Sequence, residues 1–179
     1  MGAAAGVEAA ADMRSKEVKT AMAVNEPEDK GPFLQAAFLC EKLLTEIDGV
    51  KSAIRIVDRV TRQAIGPQPP EEMEPFNHSL VLFIRLKRGW TTGRHTVLVY
   101  MVKPSGETPA PYRQDIYFEG EEDWGVDLEI NMNIKVDQVG IYWFKIIFNN
   151  IQMTRIPLRV IYMPRIIQMQ PVPVEPPSV

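Results

Sequence analysis

Residues 137–162, DQVGIYWFKIIFNNIQMTRIPLRVIY, constrain the fold of this chain more than any other segment. Every second residue in each half of the segment is large and apolar, which is typical of β-strands with one buried face. These residues are Tyr142, Phe144, Ile146 and Phe148 in the first half, and Ile156, Leu158, Val160 and Tyr162 in the second. The segment therefore predicts two strands joined by a short turn. It indicates an all-β fold and no particular chemistry.

Further strand candidates precede this pair and are separated by turn residues. The clearest is residues 126–136, where Val126, Leu128, Ile130, Met132, Ile134 and Val136 alternate with polar residues. The others are residues 33–40, 51–62, 79–88, 94–103 and 112–118, with a proline-rich and acidic loop at 64–77. About eight short strands without a helical period predict an antiparallel two-sheet β-sandwich of immunoglobulin-like or related topology.

Residues 137–142, DQVGIY, are similar to the tyrosine corner of immunoglobulin-like domains. In that motif a glycine leads the chain into a strand, and a tyrosine two residues later bonds back to the backbone. The cysteine pair of true immunoglobulin domains is missing, so the similarity implies architecture only. Pro157 has no backbone N–H, which predicts that the last strand lies at an edge or is paired there on one side only.

The composition indicates one folded domain between two different ends. A chain of 179 residues with 45% hydrophobic content is long enough for one well-buried core. Residues 1–31 are rich in alanine and charge, and are predicted to be flexible. Residues 163–179 are rich in proline. Because proline removes backbone donors and favours extended geometry, these residues are predicted to be a tail outside the folded domain. The β-sandwich domain is therefore predicted to span residues 32–162.

Charge and hydropathy argue against several classes of partner. The net charge of -3 and the absence of long Lys/Arg runs argue against nucleic-acid binding. No stretch approaches the roughly 18 consecutive apolar residues of a membrane span. The first residues lack the pattern of a secretory signal, so we expect a cytoplasmic protein. The single cysteine, Cys40, excludes an internal disulfide, and its apolar neighbours predict a buried thiol.

The sequence contains no recognisable catalytic, cofactor or metal motif. The two histidines, His78 and His95, would have to converge with carboxylates to form a site, and Cys40 has no activating signature. We therefore expect a protein that is not an enzyme and holds no cofactor. The acidic turn Glu119, Glu121, Glu122 and Asp123 offers oxygen ligands for Ca²⁺, although a solvated turn explains it more simply.

The second faces of two strands carry the strongest functional signal. Ile141, Trp143 and Ile147 alternate with inward residues, and Val81 and Phe83 repeat the pattern earlier in the chain. One explanation is intramolecular cover by residues 64–76 or by a terminal segment. A second is an interaction surface for a protein partner or another copy, because contiguous exposed apolar area marks interfaces. A third is a carbohydrate platform built from Trp90, Trp124 and Trp143.

Three segments resemble a family of small, uncharacterised bacterial β-sandwich proteins. They are AAFLCEKLLTEIDGVKSAIRIVDRV, HTVLVYMVKPSGE and GIYWFKIIFNNIQMTRIPLRV, and the resemblance runs from about residue 33 to residue 161. It implies a bacterial cytoplasmic β-sandwich and supplies no functional residues. Taken together, the residues favour a non-enzymatic interaction or assembly module. The alternative is a β-sandwich that binds carbohydrate or Ca²⁺.

Overall fold

The computed structural model describes residues 30–166, and only the backbone of Ile166. Most of the predicted N-terminal segment and of the proline-rich tail therefore lies outside the described residues. Residues 30–166 form nine strands and no helix, so no helix in this range could cross a membrane. The strands are β1 Phe33–Thr45, β2 Lys51–Ile56, β3 Arg59–Gly66, β4 Phe76–Lys87, β5 Gly93–Val102, β6 Tyr112–Phe118, β7 Gly125–Val136, β8 Gly140–Phe148 and β9 Ile151–Ile166.

The strands form two sheets in a sandwich-like arrangement. The four-stranded sheet has the order β2-β1-β4-β7, and the five-stranded sheet has the order β3-β9-β8-β5-β6. Neighbouring strands run antiparallel, as the sequence predicted, except that β3 and β9 are parallel. The predicted all-β, two-sheet class is therefore confirmed, while the prediction of wholly antiparallel sheets is wrong at this one edge.

The main core consists of the inward residues of both sheets, and their alternation follows the predicted pattern. In β8 the four predicted inward residues are all buried, and β7 alternates in the same way along its length. The largest fully buried side chains include Tyr142, Phe118, Phe144, Leu39, Leu82, Ile84, Leu86, Ile146 and Leu158. Because these residues come from both sheets, their burial holds the two layers together.

Residues 51–62, predicted as one strand, are two strands in different sheets. The chain leaves the four-stranded sheet after Ile56 and joins the five-stranded sheet at Arg59. At this crossing Val57 N donates to Leu39 O at 2.8 Å, and Arg159 N donates to Asp58 O at 2.9 Å. Alternation cannot reveal such a crossing, because it reports which side of a strand is buried and not which strand lies beside it.

Strand β9 changes partner along its length. It pairs with β8 from Ile151 to Val160 and with β3 from Arg159 to Ile166. Among the strands of residues 30–166, only β8 lies alongside Pro157, so the predicted one-sided pairing at this proline is confirmed. The strand continues four residues beyond Tyr162, where the sequence placed the end of the domain, because β3 provides backbone partners for residues 163–166.

The turns on either side of β8 explain how this strand is fixed. Tyr142 Oη accepts hydrogen bonds from the backbone N–H of Asp137 at 3.2 Å and of Gln138 at 3.0 Å, which is the predicted tyrosine-corner contact. At the other end, Asn149 and Asn150 have φ of 44° and 70° and form a two-residue connection to β9. Positive φ at both positions is the geometry of a type I′ hairpin turn.

Candidate functional site

The two apolar outer faces predicted from the sequence have different environments. Val81 and Phe83, on the outer side of β4, are only 6% and 4% exposed. They form a second buried cluster with Cys40 and Leu43, and the ring of Phe38 lies 5.2 Å from that of Phe83. Val81 and Phe83 therefore do not belong to an exposed interaction surface, which corrects that part of the prediction.

The hairpin of β1 and β2 accounts for part of this cover. Lys51 Nζ on β2 lies 3.5 Å from Glu129 Oε2 on β7, although these strands stand at opposite ends of the sheet order. In a flat sheet their Cα atoms would be about 14 Å apart across three strand spacings and about 23 Å apart along the strands, because Lys51 pairs with Thr45, seven residues beyond the position of β1 that is in register with Glu129. The contact therefore requires the hairpin to bend over the outer face of β4. Leu43, on the hairpin side of Cys40, accordingly packs into the second cluster.

Cys40 lies at the base of this hairpin and is 0% exposed. Burial raises the pKa of its thiol, and the negative charge of Glu129 raises it further. A protonated, inaccessible thiol is a poor nucleophile. Its place in the fold is a packing position, opposite Val81 on β4 and Ile56 on β2.

The outer face of the five-stranded sheet differs, because it combines a central tryptophan with several cations. Ile141, Trp143 and Lys145 face outward on β8 and are half-buried. The register places Arg159, Pro157 and Arg155 of β9 directly opposite them, and Arg59 of β3 beside Arg159. We call these seven residues the Trp143 face. Ile147, the fifth predicted surface residue, lies farther along β8 at a register irregularity and is also half-buried.

A groove of about 390 Å³ crosses the Trp143 face at one end. Ile141, Trp143 and Pro157 provide its apolar lining, and Arg59, Arg159 and Asp58 provide its polar lining. The predicted site residues Ile141 and Trp143 therefore do come together on one surface feature. The groove extends across β9 to the crossing residue Asp58, so three separate parts of the chain contribute to it.

The Trp143 face carries a local excess of positive charge. Four cations surround the tryptophan: Arg59, Lys145, Arg155 and Arg159. Within residues 30–166 the ion pair that these cations form joins Arg59 Nε to Asp58 Oδ1 at 3.1 Å. The hydrogen bond from Arg59 and its charge hold the pKa of Asp58 below its usual value. Arg155 Cζ lies 4.5 Å from the Trp143 ring centroid, a cation–π contact. Four cations against one carboxylate contrast with the net charge of -3 for the whole chain.

Sequence reasoning missed these cations as a group. The alternation in residues 155–162 predicts that Arg155 and Arg159 face outward. Lys145 is predicted to face outward for the same reason, because it alternates with Phe144 and Ile146. No sequence signal placed Arg59 beside Arg159, because the two residues are 100 positions apart and meet only through the parallel pairing of β3 with β9.

The three tryptophans do not form one platform. Trp90 and Trp124 lie in the loops between β4 and β5 and between β6 and β7, whereas Trp143 pairs with Val102 at the far end of β5. The ten residues of β5 therefore separate Trp143 from the loop that holds Trp90, a distance of about 30 Å in an extended strand. The predicted carbohydrate platform of all three residues is thus excluded by the strand geometry.

The acidic turn is hydrogen-bonded to the end of β4 and to the loop that follows β4. Trp90 Nε1 donates to Glu122 Oε2 at 3.3 Å, and Lys87 Nζ donates to the carbonyl oxygen of Asp123 at 2.8 Å. Within residues 30–166 no three His, Cys, Asp or Glu side chains converge as a metal site. The turn also lines a second groove of about 390 Å³, together with residues of the neighbouring loop. The groove is lined by Phe33, Lys87, Gly89, Trp90, Glu122 and Asp123.

The histidines lie at opposite ends of the sandwich. His78 is near the start of β4, where burial lowers its pKa, and His95 is near the start of β5, beyond the far end of β4. The His95 ring lies 2.9 Å from Thr92 O and 2.7 Å from Asn149 Nδ2, and it stacks on Phe148 at 5.1 Å. The structure therefore places both histidines in local packing and does not bring them together.

Comparison with known proteins identifies one family and gives little beyond it. Residues 35–161 match the model of a family of unknown function, DUF6941. No curated protein matches the chain. Among solved structures, a β-glucosidase from Listeria innocua in complex with glucose aligns with 10% identity and a TM-score of 0.36, over 70% of this chain and 16% of that chain. The chain thus spans far less than two thirds of that enzyme, and so low a TM-score supports no inference.

Proposed function

Given that this chain belongs to the DUF6941 family of unknown function, we propose that it is a non-enzymatic protein-binding module and that the Trp143 face is its binding surface. The observation that carries this proposal is a half-buried tryptophan in a groove, surrounded by cations on a sheet face that packs on no other strand among residues 30–166. Tryptophan and arginine are the residue types most enriched among those that dominate binding energy at protein interfaces.

The layout of the Trp143 face resembles the anatomy of a small interface. Its centre is apolar, through Ile141, Trp143 and Pro157, and its margin is charged, through Arg59, Arg155 and Arg159. Interfaces commonly have an apolar centre that is fully desolvated on binding and a polar rim that stays near water. Arg155 rests on the Trp143 ring, so the tryptophan is held on one side in the orientation that a partner would meet.

The non-enzymatic part of the proposal is supported by the positions of the reactive groups. The Cys40 thiol is buried and has a raised pKa, and both ring nitrogens of His95 lie within hydrogen-bond distance of Thr92 and Asn149. Neither group faces the Trp143 groove. Catalysis by these groups would require a nucleophile and a base within hydrogen-bond reach of each other.

We also assign the fold to the immunoglobulin-like group. The order β1-β4-β7 corresponds to strands A, B and E of that fold, and β5-β8-β9 corresponds to strands C, F and G. The tyrosine corner at Tyr142 stands at the start of β8, the position of strand F, which supports the assignment. Many domains of this architecture are binding modules, but the analogy of fold alone does not identify a partner.

The partner that fits the Trp143 face best is a different protein. A symmetric dimer formed through this face would place the same patch against itself. The cations Arg59, Lys145, Arg155 and Arg159 would then approach the same cations of the second copy, and like charges repel. Self-association, if it occurs, is expected to use another surface.

Site-specific photo-crosslinking tests the proposal. A photoreactive phenylalanine analogue replaces Ile141 on the Trp143 face in one variant and Asn131 on the exposed side of β7 in the control. Protein crosslinks are expected from position 141 and not from 131, and adding Trp143→Ala should abolish them. Equal labelling from both positions, or crosslinks at 141 that persist without the tryptophan, would contradict the proposal.

A second candidate function, carbohydrate binding, is favoured by the groove beside Trp90. Trp90 is 66% exposed, and Glu122 and Asp123 line the same groove, so an aromatic surface for sugar stacking lies next to carboxylates that accept hydrogen bonds. Titration of a glycan panel by calorimetry tests this function. Heat that disappears in Trp90→Ala but not in Trp143→Ala supports it, and no heat from any glycan contradicts it.

A further inference from the structure

The cations of the Trp143 face form two rows, one on each side of the tryptophan. Arg59 and Arg159 are directly opposite in the pairing of β3 with β9, and Lys145 and Arg155 are directly opposite in the pairing of β8 with β9. Trp143 and Pro157 form the row between them. Because residues i and i+2 of a strand are about 7 Å apart on one face, the cationic rows lie about 14 Å from each other.

Each cationic row is an unfavourable arrangement for the isolated domain. Like charges directly opposite each other on neighbouring strands destabilise a sheet, and this face has two such pairs. Asp58 compensates Arg59 at 3.1 Å, but Lys145, Arg155 and Arg159 form no ion pair with residues 30–166. Departures from favourable pairing are expected at functional sites, where a ligand supplies what the fold lacks.

The partner groups that would neutralise these cations must therefore be anionic, and the distance between them must match the distance between the two rows. We propose that the Trp143 face binds an extended, acidic protein segment, with carboxylates four residues apart on the two cationic rows and an apolar side chain midway on Trp143. In an extended segment residues i, i+2 and i+4 lie on one side at about 7 Å intervals, which is the spacing of the three rows. Carboxylates are also the preferred bidentate partners of arginine.

This inference rests on the proposed function and specifies its partner. The apolar groove formed by Ile141, Trp143 and Pro157 favours a protein segment over a nucleic acid, because nucleic-acid sites follow the backbone with a continuous positive groove and several stacking aromatics. The whole chain is acidic as well, with a net charge of -3. A second copy of the chain is disfavoured by the repulsion between the cationic rows.

Fluorescence anisotropy with labelled peptides tests the spacing and the charge. The main probe is fluorescein-Gly-Ser-Glu-Ser-Leu-Ser-Glu-Ser-Gly, whose two glutamates flank a central leucine at the required interval. One control probe replaces both glutamates by glutamine, and another places them side by side. We expect the main probe to bind about tenfold more tightly than the glutamine probe, the range for two exposed charge pairs, and more tightly than the side-by-side probe.

Matched protein variants locate the binding site. Lys145→Gln with Arg159→Gln removes one cation from each row and keeps the Arg155 contact with Trp143. The control is Arg113→Gln, an exposed arginine of the same sheet that pairs with Asp115 at 3.4 Å. The double variant should lose about tenfold in affinity for the main probe, while its melting temperature stays equal to or rises above that of the wild type, because two repulsive pairs are relieved.

The results separate this inference from the proposed function. Equal affinity for all three peptides, or no binding of any, overturns the acidic-segment proposal, and crosslinks from position 141 would still support a protein-binding face. Tighter binding of a labelled 12-nucleotide oligo-dT, lost in the double variant, would also overturn it in favour of a nucleic acid. Equal loss of affinity in Arg113→Gln would show that binding depends on general charge and not on the rows.

Discussion

Replacing Tyr142 by phenylalanine gives a sharp test of how β8 is anchored. The substitution keeps the buried ring and removes only the hydroxyl, which accepts from the backbone N–H of Asp137 and of Gln138 at 3.2 and 3.0 Å. The hydroxyl also lies 3.2 Å from Gln138 O and 3.3 Å from Asp137 Oδ1, so it donates to one of them. Burial raises the pKa of Tyr142, and the hydroxyl therefore stays protonated at neutral pH.

The expected loss of stability follows from the two backbone donors that remain. A donor left without an acceptor costs about 1–3 kcal/mol when fully buried, and Asp137 and Gln138 are only half-buried, so each can regain part of this energy from water. We therefore expect Tyr142→Phe to lower the free energy of unfolding by about 2 kcal/mol. For a chain of this size that is a fall in melting temperature of about 4–8 °C.

Urea unfolding followed by tryptophan fluorescence measures this loss directly. The control is Tyr100→Phe, because Tyr100 is half-buried on β5 and its hydroxyl makes no hydrogen bond to residues 30–166. The control should stay within about 0.5 kcal/mol of the wild type. The reasoning fails if the two variants are equally stable, or if the Tyr142→Phe midpoint does not move while the denaturant slope stays constant.

Three further outcomes follow from individual contacts. Lys103 donates to Asp137 at 2.9 Å, and this bond holds the pKa of Asp137 below its usual 3.8. Stabilisation from a lowered carboxyl pKa is present at neutral pH and is lost as the pH falls through the pKa of the folded state. In thermal melts, Asp137→Asn should therefore be less stable than the wild type at pH 7 and approach it near pH 2. Asn150 has φ of 70° in the turn between β8 and β9, so Asn150→Ala should cost about 1 kcal/mol and Asn150→Gly should not, as measured by urea unfolding. The Cys40 thiol should not react with Ellman's reagent at pH 8 until guanidinium unfolds the chain, when one equivalent should appear; rapid reaction of the native protein would contradict its burial.

Local patterns predicted much of the five-stranded sheet. The alternation in β8 and β9, the tyrosine corner at Tyr142 and the one-sided pairing at Pro157 depend on neighbours within a few residues along the chain. The sequence therefore predicted two strands of the Trp143 face, β8 and β9, and it correctly placed Ile141 and Trp143 on the outward side of β8.

The errors share one physical cause, which is the choice of neighbouring strand. The buried face of β4 looked like a second exposed apolar surface, because nothing in its own residues shows that the hairpin of β1 and β2 bends over Val81 and Phe83. The segment 51–62 looked like one strand, because its apolar pattern does not show that the chain changes sheets at Asp58. Both features depend on contacts between residues far apart in sequence.

The sequence by itself determined the all-β class, the inward faces and the outward position of Trp143, because side-chain direction alternates with a period of two that is visible in the sequence. Only the tertiary structure decided which outer face is covered within residues 30–166 and which of these residues surround the tryptophan. Arg59 reaches the Trp143 face through parallel pairing with β9, and the two rows of like charge exist only in that register. Register is set by how the whole sandwich packs, so no local pattern contains it.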